Sequence, residues 1–217
     1  MSLNIAKDSK KRVVIVGGGF GGLKLANKLK KSGFQVVLID KNNYHQFPPL
    51  IYQVASAGME PTSISFPFRK IFQNRKDFYF RMAEVRAVFP EKNMIQTSIG
   101  KAEYDYLVLA AGTTTNFFGN KHIEEEAMPM KNVSEAMGLR NALLANLERA
   151  VTCSNKQEQQ ELLNIVVVGG GATGVEVAGV LSEMKKFVLP NDYPDMPSSL
   201  RHIYLIEAGP RLLAGMY

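Results

Sequence analysis

A glycine-rich turn that could hold a pyrophosphate lies near the start of the chain. Gly17, Gly19 and Gly22 have the spacing G-x-G-x-x-G and directly follow the apolar run 13–16. The first glycine permits a tight turn from strand to helix, the second lets the backbone approach a phosphate, and the third lets the helix pack on its strand. The free N–H groups at the start of that helix would bind the anion.

An acidic residue follows at the distance expected for such a turn. A second apolar run, 35–39, ends at Asp40, which comes 18 residues after Gly22. A separation of about 20 residues is usual for a carboxylate that binds an adenosine ribose. The sequence therefore predicts a dinucleotide site on a strand–helix–strand unit, although a glycine-rich turn without a ligand would share the first motif.

The same pattern occurs a second time. Gly169, Gly171 and Gly174 follow another apolar run, and a later strand is predicted to end at Glu207. Glu207 comes 33 residues after Gly174 because a proline-rich insertion, 189–197, lies between them. Two copies with strand, helix and acid predict an α/β fold with two Rossmann-like dinucleotide-binding units.

Composition excludes several other classes of protein. The chain has 217 residues, a net charge of +6 and one cysteine, Cys153, so a disulfide framework or an intramolecular dithiol pair is excluded. Its three histidines lack metal-ligand spacing, and no metal site is expected. The basic cluster within 7–12 favours a solvated tail over nucleic-acid binding, and attraction to an anionic membrane stays open. Residues 1–3 resemble a vector-derived start and are expected to lie outside the fold.

Between the two motifs the sequence predicts a mixture of loops, helices and strands. The segment 41–58 contains two prolines and many aromatic and amide groups, which suits either a loop-plus-helix that lines a planar ligand or a packed surface loop. The other predicted elements are a helix at 64–74, a strand at 78–82, a hairpin of 85–89 with 94–98, a buried strand at 104–110, a linker at 117–132, a helix from an N-cap at Ser134 to Thr152, and a helix at 156–163.

Four segments resemble the pyridine nucleotide-disulfide oxidoreductase superfamily of flavoproteins and, within it, the type II NADH:quinone dehydrogenases, which are single-subunit, non-pumping respiratory enzymes. The segments are Val13–Gly22, His45–Ala55, Tyr106–Thr113 and Val166–Glu176. The glycine motifs are shared by many flavoproteins, whereas His45–Ala55 is the specific segment. The simplest explanation for two dinucleotide sites in one chain is that one binds a hydride carrier and the other binds a flavin.

The resemblance implies a role for each site residue. The residues that would contact FAD are Gly17, Gly19 and Gly22 on the pyrophosphate, Asp40 on the ribose, Pro49, Leu50 and Gln53 beside the isoalloxazine ring, and Gly112 and Thr113 close by. The residues that would contact NADH are Gly169, Gly171 and Gly174 on the pyrophosphate and Glu207 on the ribose. Glu176 and Gln53 are the catalytic candidates. Glu176 would lie near the meeting of nicotinamide and flavin or, alternatively, would stabilise the dipole of its helix from the first turn.

The resemblance also implies an organisation and a location. It suggests a glutathione-reductase-like fold, truncated at the C-terminus, with an FAD-binding domain at 1–120 and a truncated NAD-binding domain at 121–217. Hydride would pass from NADH to FAD, and electrons would pass on to a quinone. The full-length protein would be a peripheral protein on the cytoplasmic side of the inner membrane, anchored by a C-terminal part absent here. A homodimer is one possible assembly. This chain is expected to be soluble, to hold flavin weakly and to have negligible turnover.

Other functions can be compared with this interpretation. Disulfide reductases and sulfide:quinone oxidoreductases need a redox cysteine pair, which one cysteine cannot supply. A ferredoxin or rubredoxin reductase needs no cysteine and remains an alternative. A nucleotide-binding module without turnover is the third possibility.

Overall fold

The computed structural model describes residues 2–196 and 198–215 and divides them into two compact units. The first unit contains the described residues up to Gln46 together with Ser65–Thr114, and the second contains Phe47–Ile64 and the described residues from Thr115 onward. The strands are β1 (Arg12–Val16), β2 (Gln35–Asp40), β3 (Tyr44–Gln46), β4 (Ser65–Pro67), β5 (Phe78–Met82), β6 (Val85–Phe89), β7 (Met94–Thr97), β8 (Gly100–Glu103), β9 (Tyr106–Leu109), β10 (Ile165–Val168) and β11 (Ile203–Ile206). The α-helices are α1 (Phe20–Lys28), α2 (Ile51–Ala55), α3 (Phe68–Ile71), α4 (Lys121–Glu126), α5 (Val133–Thr152), α6 (Lys156–Leu163), α7 (Ala172–Glu183) and α8 (Leu189–Asp192).

A four-stranded parallel sheet organises the first unit. Its strand order is β5-β2-β1-β9, so β1 lies between β2 and β9, with Val13 beside both Val36 and Tyr106. All residues of β1 are buried, because both faces of the sheet are covered. Parallel strands end at the same edge, and the glycine turn after β1 therefore lies beside the ends of β2 and β9.

Different layers cover the two faces of this sheet. Alternate residues of β1 pack either on the antiparallel sheet β6-β7-β8 or on α1 and α3. Val14 belongs to the first cluster with Ile95 and Ala102, and Ile15 belongs to the second with Ala26 and Phe68. This alternation is the two-residue period of a strand and explains why β1 has no polar side towards solvent.

Several predictions for the first unit are wrong in detail. The helix expected at 64–74 is shorter, because Ser65–Pro67 forms β4 against β3 before α3 begins. The strand β9 was expected to be buried, but it is an edge strand with Leu109 66% exposed. β8 was not predicted. The strand at 78–82 and the hairpin formed by β6 and β7 are confirmed.

The N-terminal residues belong to the fold, contrary to expectation. Leu3 is buried in the cluster with Val14, so the segment expected to lie outside the fold contributes to the core. Arg12, expected in a solvated basic tail, is 5% exposed. Its guanidinium donates to the carbonyl of Ile5 at 3.0 Å and to the side chain of Gln35. Met1 lies outside the described residues.

The second unit contains a smaller parallel sheet and more helix. β10 pairs with β11, and α7 packs against both strands. α5 is capped by Asn132, not by Ser134 as predicted, because the side chain of Asn132 accepts from the N–H of Glu135 at 2.9 Å. The predicted linker contains α4, whose acidic residues are exposed.

The proline-rich insertion begins as a continuation of a helix. α7 passes through a π-helix at Met184–Val188 into α8, so the first part of 189–197 is helical. Pro197 lies outside the described residues. No helix in the described part of the chain is both long enough and apolar enough to cross a membrane. The assignment of an FAD-binding domain to 1–120 and an NAD-binding domain to 121–217 stays a prediction.

Candidate functional site

The first glycine motif forms the turn between β1 and α1. Gly17 has a φ of +99°, and a Cβ at this position would overlap the carbonyl oxygen of Ala110. Gly22 lies in α1, where a Cβ would overlap the carbonyl oxygen of Gly17. Glycine is therefore required at both positions for reasons internal to the fold.

Gly19 needs a different explanation. Its φ of −65° and ψ of −167° suit any residue, and a Cβ there would have no atom within 4 Å. Gly171 of the second motif has a φ of −75° and an equally open face. Neither conformation nor packing requires glycine at these positions. A group from outside that must approach the backbone, such as a pyrophosphate, would require it, so the loops fit dinucleotides.

The carboxylate of Asp40 is bonded to the loop. Its Oδ2 accepts from the N–H of Gly18 at 2.6 Å, and its Oδ1 accepts from the N–H of Asn42 at 2.8 Å. The acid predicted from the spacing after Gly22 therefore lies directly beside the glycine loop.

The second unit repeats this arrangement with glutamate, whose side chain is longer, in place of aspartate. Oε2 of Glu207 accepts from the N–H of Gly170 at 2.6 Å, and Oε1 accepts from the N–H of Gly209 at 2.8 Å. Gly169 has a φ of +110°, and a Cβ on Gly174 would overlap its carbonyl oxygen. The two predicted motifs thus have the same local geometry, which supports the same class of ligand for both.

These hydrogen bonds determine the charge of the second acid. The N–H of Gly209 and, with a smaller effect, the N–H of Gly170 donate to the carboxylate of Glu207. These bonds stabilise its charged form and hold its pKa below the ordinary glutamate value of 4.5. Glu207 is therefore ionised at neutral pH. A negative charge at this point would repel a 2′-phosphate and accept from the hydroxyls of an unmodified ribose.

An apolar side chain packs against Gly18 in the first motif and against Gly170 in the second; Phe68 is buried and Leu212 is partly exposed. A Cβ on Gly18 would overlap the ring of Phe68, and a Cβ on Gly170 would lie 2.6 Å from the side chain of Leu212. The carbonyl of Gly18 also faces His45, whose Nδ1 lies 2.9 Å away. Each middle glycine is thus fixed by the segment that follows the second strand of its unit.

The end of β9 lies at the same edge as the first loop. The N–H of Ala110 donates to the carbonyl of Val16 at 2.8 Å. Gly112 follows with a φ of +73°, and Gly112 and Thr113 are both exposed. The structure therefore brings Gly17, Gly19, Gly22 and Asp40 to one edge of the sheet, where the segment containing Gly112 and Thr113 begins.

Three predicted flavin contacts lie in the second unit. Pro49 and Leu50 form a 3-10 turn that leads into α2, which contains Gln53. α2 packs against α5 and α7. Oε1 of Gln53 would lie 2.7 Å from a Cβ on Gly58, so the amide is directed at the loop that follows its own helix. The loop-plus-helix predicted for 41–58 is confirmed, with β3 in addition.

The position of Glu176 corrects one part of the sequence interpretation. It is the fifth residue of α7 and is exposed, so it lies beyond the first turn in which the helix dipole acts. Stabilisation of that dipole is therefore a poor explanation for this residue. Because α2 packs on α7, both catalytic candidates, Gln53 and Glu176, lie on helices that contact each other in the second unit.

Cys153 and the histidines give no sign of a further chemical centre. Cys153 ends α5 and its thiol donates to the carbonyl of Asn155 at 3.3 Å. Among the described residues, no group of three or more His, Cys, Asp or Glu side chains could hold a metal ion.

Sequence reasoning missed the residues that hold the loops in place. Neither Gly18 nor Gly170 is among the residues predicted for the two sites, and His45 is only the first residue of the segment that carries the family resemblance. The signal that could have found the two glycines is the repeat itself, because both occupy the same place in their motifs. The contact of His45 has no counterpart in the sequence pattern.

The family model that describes the pyridine nucleotide-disulphide oxidoreductases matches residues 11–217. The chain belongs to this family. The match includes both glycine loops and the acids that bond to them. The α/β fold with parallel sheets that the sequence predicted is confirmed by the structure.

Pyridine nucleotide-disulphide oxidoreductases similar to this one include NADH:quinone oxidoreductases. A type II NADH:quinone oxidoreductase of Mycobacterium tuberculosis is 34% identical over 209 residues, covering 94% of this chain and 45% of the relative. An external alternative NADH-ubiquinone oxidoreductase of Yarrowia lipolytica mitochondria is 30% identical over 221 residues, covering 96% and 38%. The chain thus spans less than half the length of these relatives.

A solved structure of NDH2 from Plasmodium falciparum in complex with NADH is also similar. It is 28% identical, has a TM-score of 0.89, and is matched over 95% of this chain and 43% of its own. The resemblance to the type II NADH:quinone dehydrogenases, stated from the sequence, is confirmed by these similarities.

Proposed function

We propose that this chain carries the FAD site and the NADH site of an NADH:quinone oxidoreductase. The observation that carries the proposal is the repeated loop, in which Gly19 and Gly171 are open where a ligand would approach and a carboxylate bonds the preceding glycine. The similarity to NADH:quinone oxidoreductases and to an NADH complex supports these two ligands.

The reaction would be the oxidation of NADH by a quinone. NADH and a proton give up two electrons and two protons to the quinone, which yields NAD⁺ and a quinol. When bound, FAD would accept the hydride and pass two electrons on. The chain would contribute binding, orientation and charge.

In the first unit the chain would bind the flavin dinucleotide. The residues proposed for this role are Gly17, Gly19, Gly22, Asp40, Gly112 and Thr113. Backbone N–H groups at the start of α1 would bind the pyrophosphate, and Asp40 would accept from the ribose. Pro49, Leu50 and Gln53 would border the isoalloxazine ring.

In the second unit Gly169, Gly171 and Gly174 would bind the pyrophosphate of NADH. Glu207 would accept from its ribose and disfavour NADPH, because an ionised carboxylate repels a 2′-phosphate. Glu176 would act near the meeting of nicotinamide and flavin. For the full-length protein, the resemblance suggests a peripheral location on the cytoplasmic side of the inner membrane and leaves a homodimer open.

The test is to purify the chain, titrate it with FAD and record the visible spectrum, and then to add NADH without oxygen. We expect weak flavin binding and a negligible rate of NADH oxidation by a soluble quinone. The small fraction of bound flavin that NADH bleaches should be reoxidised by the quinone, whereas in a ferredoxin-type reductase an iron–sulfur protein, and not a quinone, would reoxidise it. A chain that binds neither nucleotide would contradict the proposal.

A further inference from the structure

The carbonyl groups of Gly18 and Gly170, which occupy the same place in the two loops, accept hydrogen bonds from different kinds of donor. In the second unit the backbone N–H of Leu213 donates to the carbonyl of Gly170 at 2.7 Å. In the first unit a side chain takes this place, because Nδ1 of His45 lies 2.9 Å from the carbonyl oxygen of Gly18. The first loop therefore depends on one replaceable side chain.

The contact fixes the tautomer of His45. A carbonyl oxygen can only accept, so Nδ1 must carry a proton and donate it. His45 is 6% exposed, which means that water is largely excluded from this bond. Its place on β3, paired with Phe66 of β4, holds the backbone that presents the ring.

His45 also contacts Phe20, the residue that follows Gly19. Its ring lies 5.7 Å, centroid to centroid, from the ring of Phe20, the first residue of α1. His45 thus touches the residues before and after Gly19 which, unlike Gly17 and Gly22, the fold does not require to be glycine.

Peptide planarity links this contact to the ligand. The carbonyl of Gly18 and the N–H of Gly19 belong to the same trans peptide and point in opposite directions. A donor that holds the carbonyl therefore sets the direction of the Gly19 N–H, a group available to a phosphate at the start of α1. Without that donor the peptide could rotate, and the N–H would lose its fixed direction.

We infer that His45 is a positioning residue for the first loop, which it holds as the Nδ1–H tautomer so that the Gly19 N–H faces the flavin pyrophosphate. This inference rests on the proposed FAD site. In the second loop Leu213 performs the same task with its backbone, so the requirement for a particular side chain is confined to the first loop.

Two substitutions separate donation from simple packing. His45→Asn places an amide nitrogen at the distance of Nδ1 from the backbone and keeps the donor, whereas His45→Leu keeps bulk and removes it. FAD affinity is measured by quenching of flavin fluorescence on the full chain. We expect Kd to rise about tenfold or more for His45→Leu, which leaves a buried carbonyl without its donor, and to stay within about threefold for His45→Asn.

Further measurements make the result specific. His122→Leu, at an exposed position of α4, is the matched control and should leave FAD affinity unchanged. NADH affinity should be the same in all variants. Nitrogen-15 NMR of the imidazole should show a protonated Nδ1 in His45 whether or not FAD is present, and circular dichroism verifies that each variant is folded.

Each outcome decides the inference. Equal loss of FAD affinity in folded His45→Asn and His45→Leu, unchanged affinity in both, or a proton on Nε2 alone would overturn it. If His45→Leu does not fold, the His45→Asn affinity and the tautomer still decide. If the wild-type chain binds no FAD, both the proposed function and this role of His45 are overturned. If the wild-type chain and both variants bind FAD with equal affinity, only the inference about His45 is overturned.

Discussion

The N–H of Gly18 donates to Oδ2 of Asp40 across 2.6 Å, and this bond ties the end of β2 to the turn that follows β1. The acid that was predicted to bind a ribose therefore has a second task, because it holds the loop that would bind the pyrophosphate. Glu207 and Gly170 repeat the relationship in the second unit. A substitution at either acid should change loop geometry as well as ribose recognition.

Gly19→Val should abolish FAD binding and leave NADH binding intact, and Gly171→Val should do the opposite. Both side chains would project into the space that a pyrophosphate needs. Valine is a poorer N-cap than glycine, so the free energy of unfolding should fall by about 1 kcal/mol at most. The measurement is FAD and NADH titration of each variant. Loss of NADH affinity in Gly19→Val would reverse the assignment of the two sites.

Gly22→Val is the control for these substitutions. Its side chain would overlap the carbonyl of Gly17, so this substitution disturbs the packing of α1 on the loop itself. We expect a loss of about 1–3 kcal/mol in the free energy of unfolding, as for overpacked sites. Denaturant unfolding distinguishes the two kinds of glycine, and equal stability of Gly19→Val and Gly22→Val would contradict this distinction.

Glu207→Gln should reduce the preference for NADH over NADPH. The amide is neutral, so the repulsion of a 2′-phosphate is lost, and its NH₂ cannot accept from a backbone N–H. Because the pKa of Glu207 is lowered, the wild-type preference should persist from neutral pH down to about pH 5. Kd values for both nucleotides at both pH values give the test. An unchanged ratio would show that Glu207 does not face the ribose.

Asp77→Asn should destabilise the first unit in a pH-dependent way. The guanidinium of Arg75 donates to both carboxylate oxygens of Asp77, and these two bonds hold the pKa of Asp77 below 3.8. The same guanidinium also donates to the carbonyl of Ala26. Stability from a depressed pKa is present above the ordinary value and is lost as pH falls through the folded one. We expect a loss of about 1 kcal/mol at pH 7, since the pair is partly exposed.

The loss for Asp77→Asn should begin to shrink as pH falls below 3.8, where the unfolded carboxyl takes up a proton, and should disappear below the lower pKa of the folded carboxyl. Asp195→Asn, at an exposed position in the second unit, is the matched control and should change little at any pH. Urea unfolding at pH 7 and pH 3 provides the measurement. A difference that stays constant with pH would exclude the charge of Asp77 as its cause.

Cys153→Ser should leave FAD and NADH affinities unchanged. The thiol donates only to the carbonyl of Asn155, and a hydroxyl can make the same bond. The free energy of unfolding should change by about 0.5 kcal/mol or less, as at most surface sites. A marked fall in flavin affinity, in protein shown to be folded, would reopen sulfur chemistry.

The sequence predicted those parts of the fold that local signals determine. β1 and β10 are apolar runs followed by glycines at fixed spacing, and both strands lie where they were expected. Pattern alone could also have located the start of α5, because Asn132 and Glu135 have the separation of an N-cap and the third helical residue. The choice of Ser134 overlooked that pair.

Features that depend on distant partners could not be predicted. β8 contains glycine, lysine, alanine and glutamate, and it is a strand only because β7 pairs with it. Leu3 is buried by residues far along the chain. The bond from His45 to Gly18 likewise joins elements whose proximity results from tertiary structure. Such contacts have no period or spacing that a sequence could display.

The position of β1 between β2 and β9 also affects how the first unit folds. β2 follows β1 after a single helix, but β9 is added only after α3 and the strands β5 to β8 have been made. During synthesis β1 therefore emerges early with one edge unpaired, and the sheet closes only when Tyr106–Leu109 has left the ribosome. A long loop must close before that pairing forms, which slows folding and lengthens the time in which an apolar strand edge is exposed to other chains.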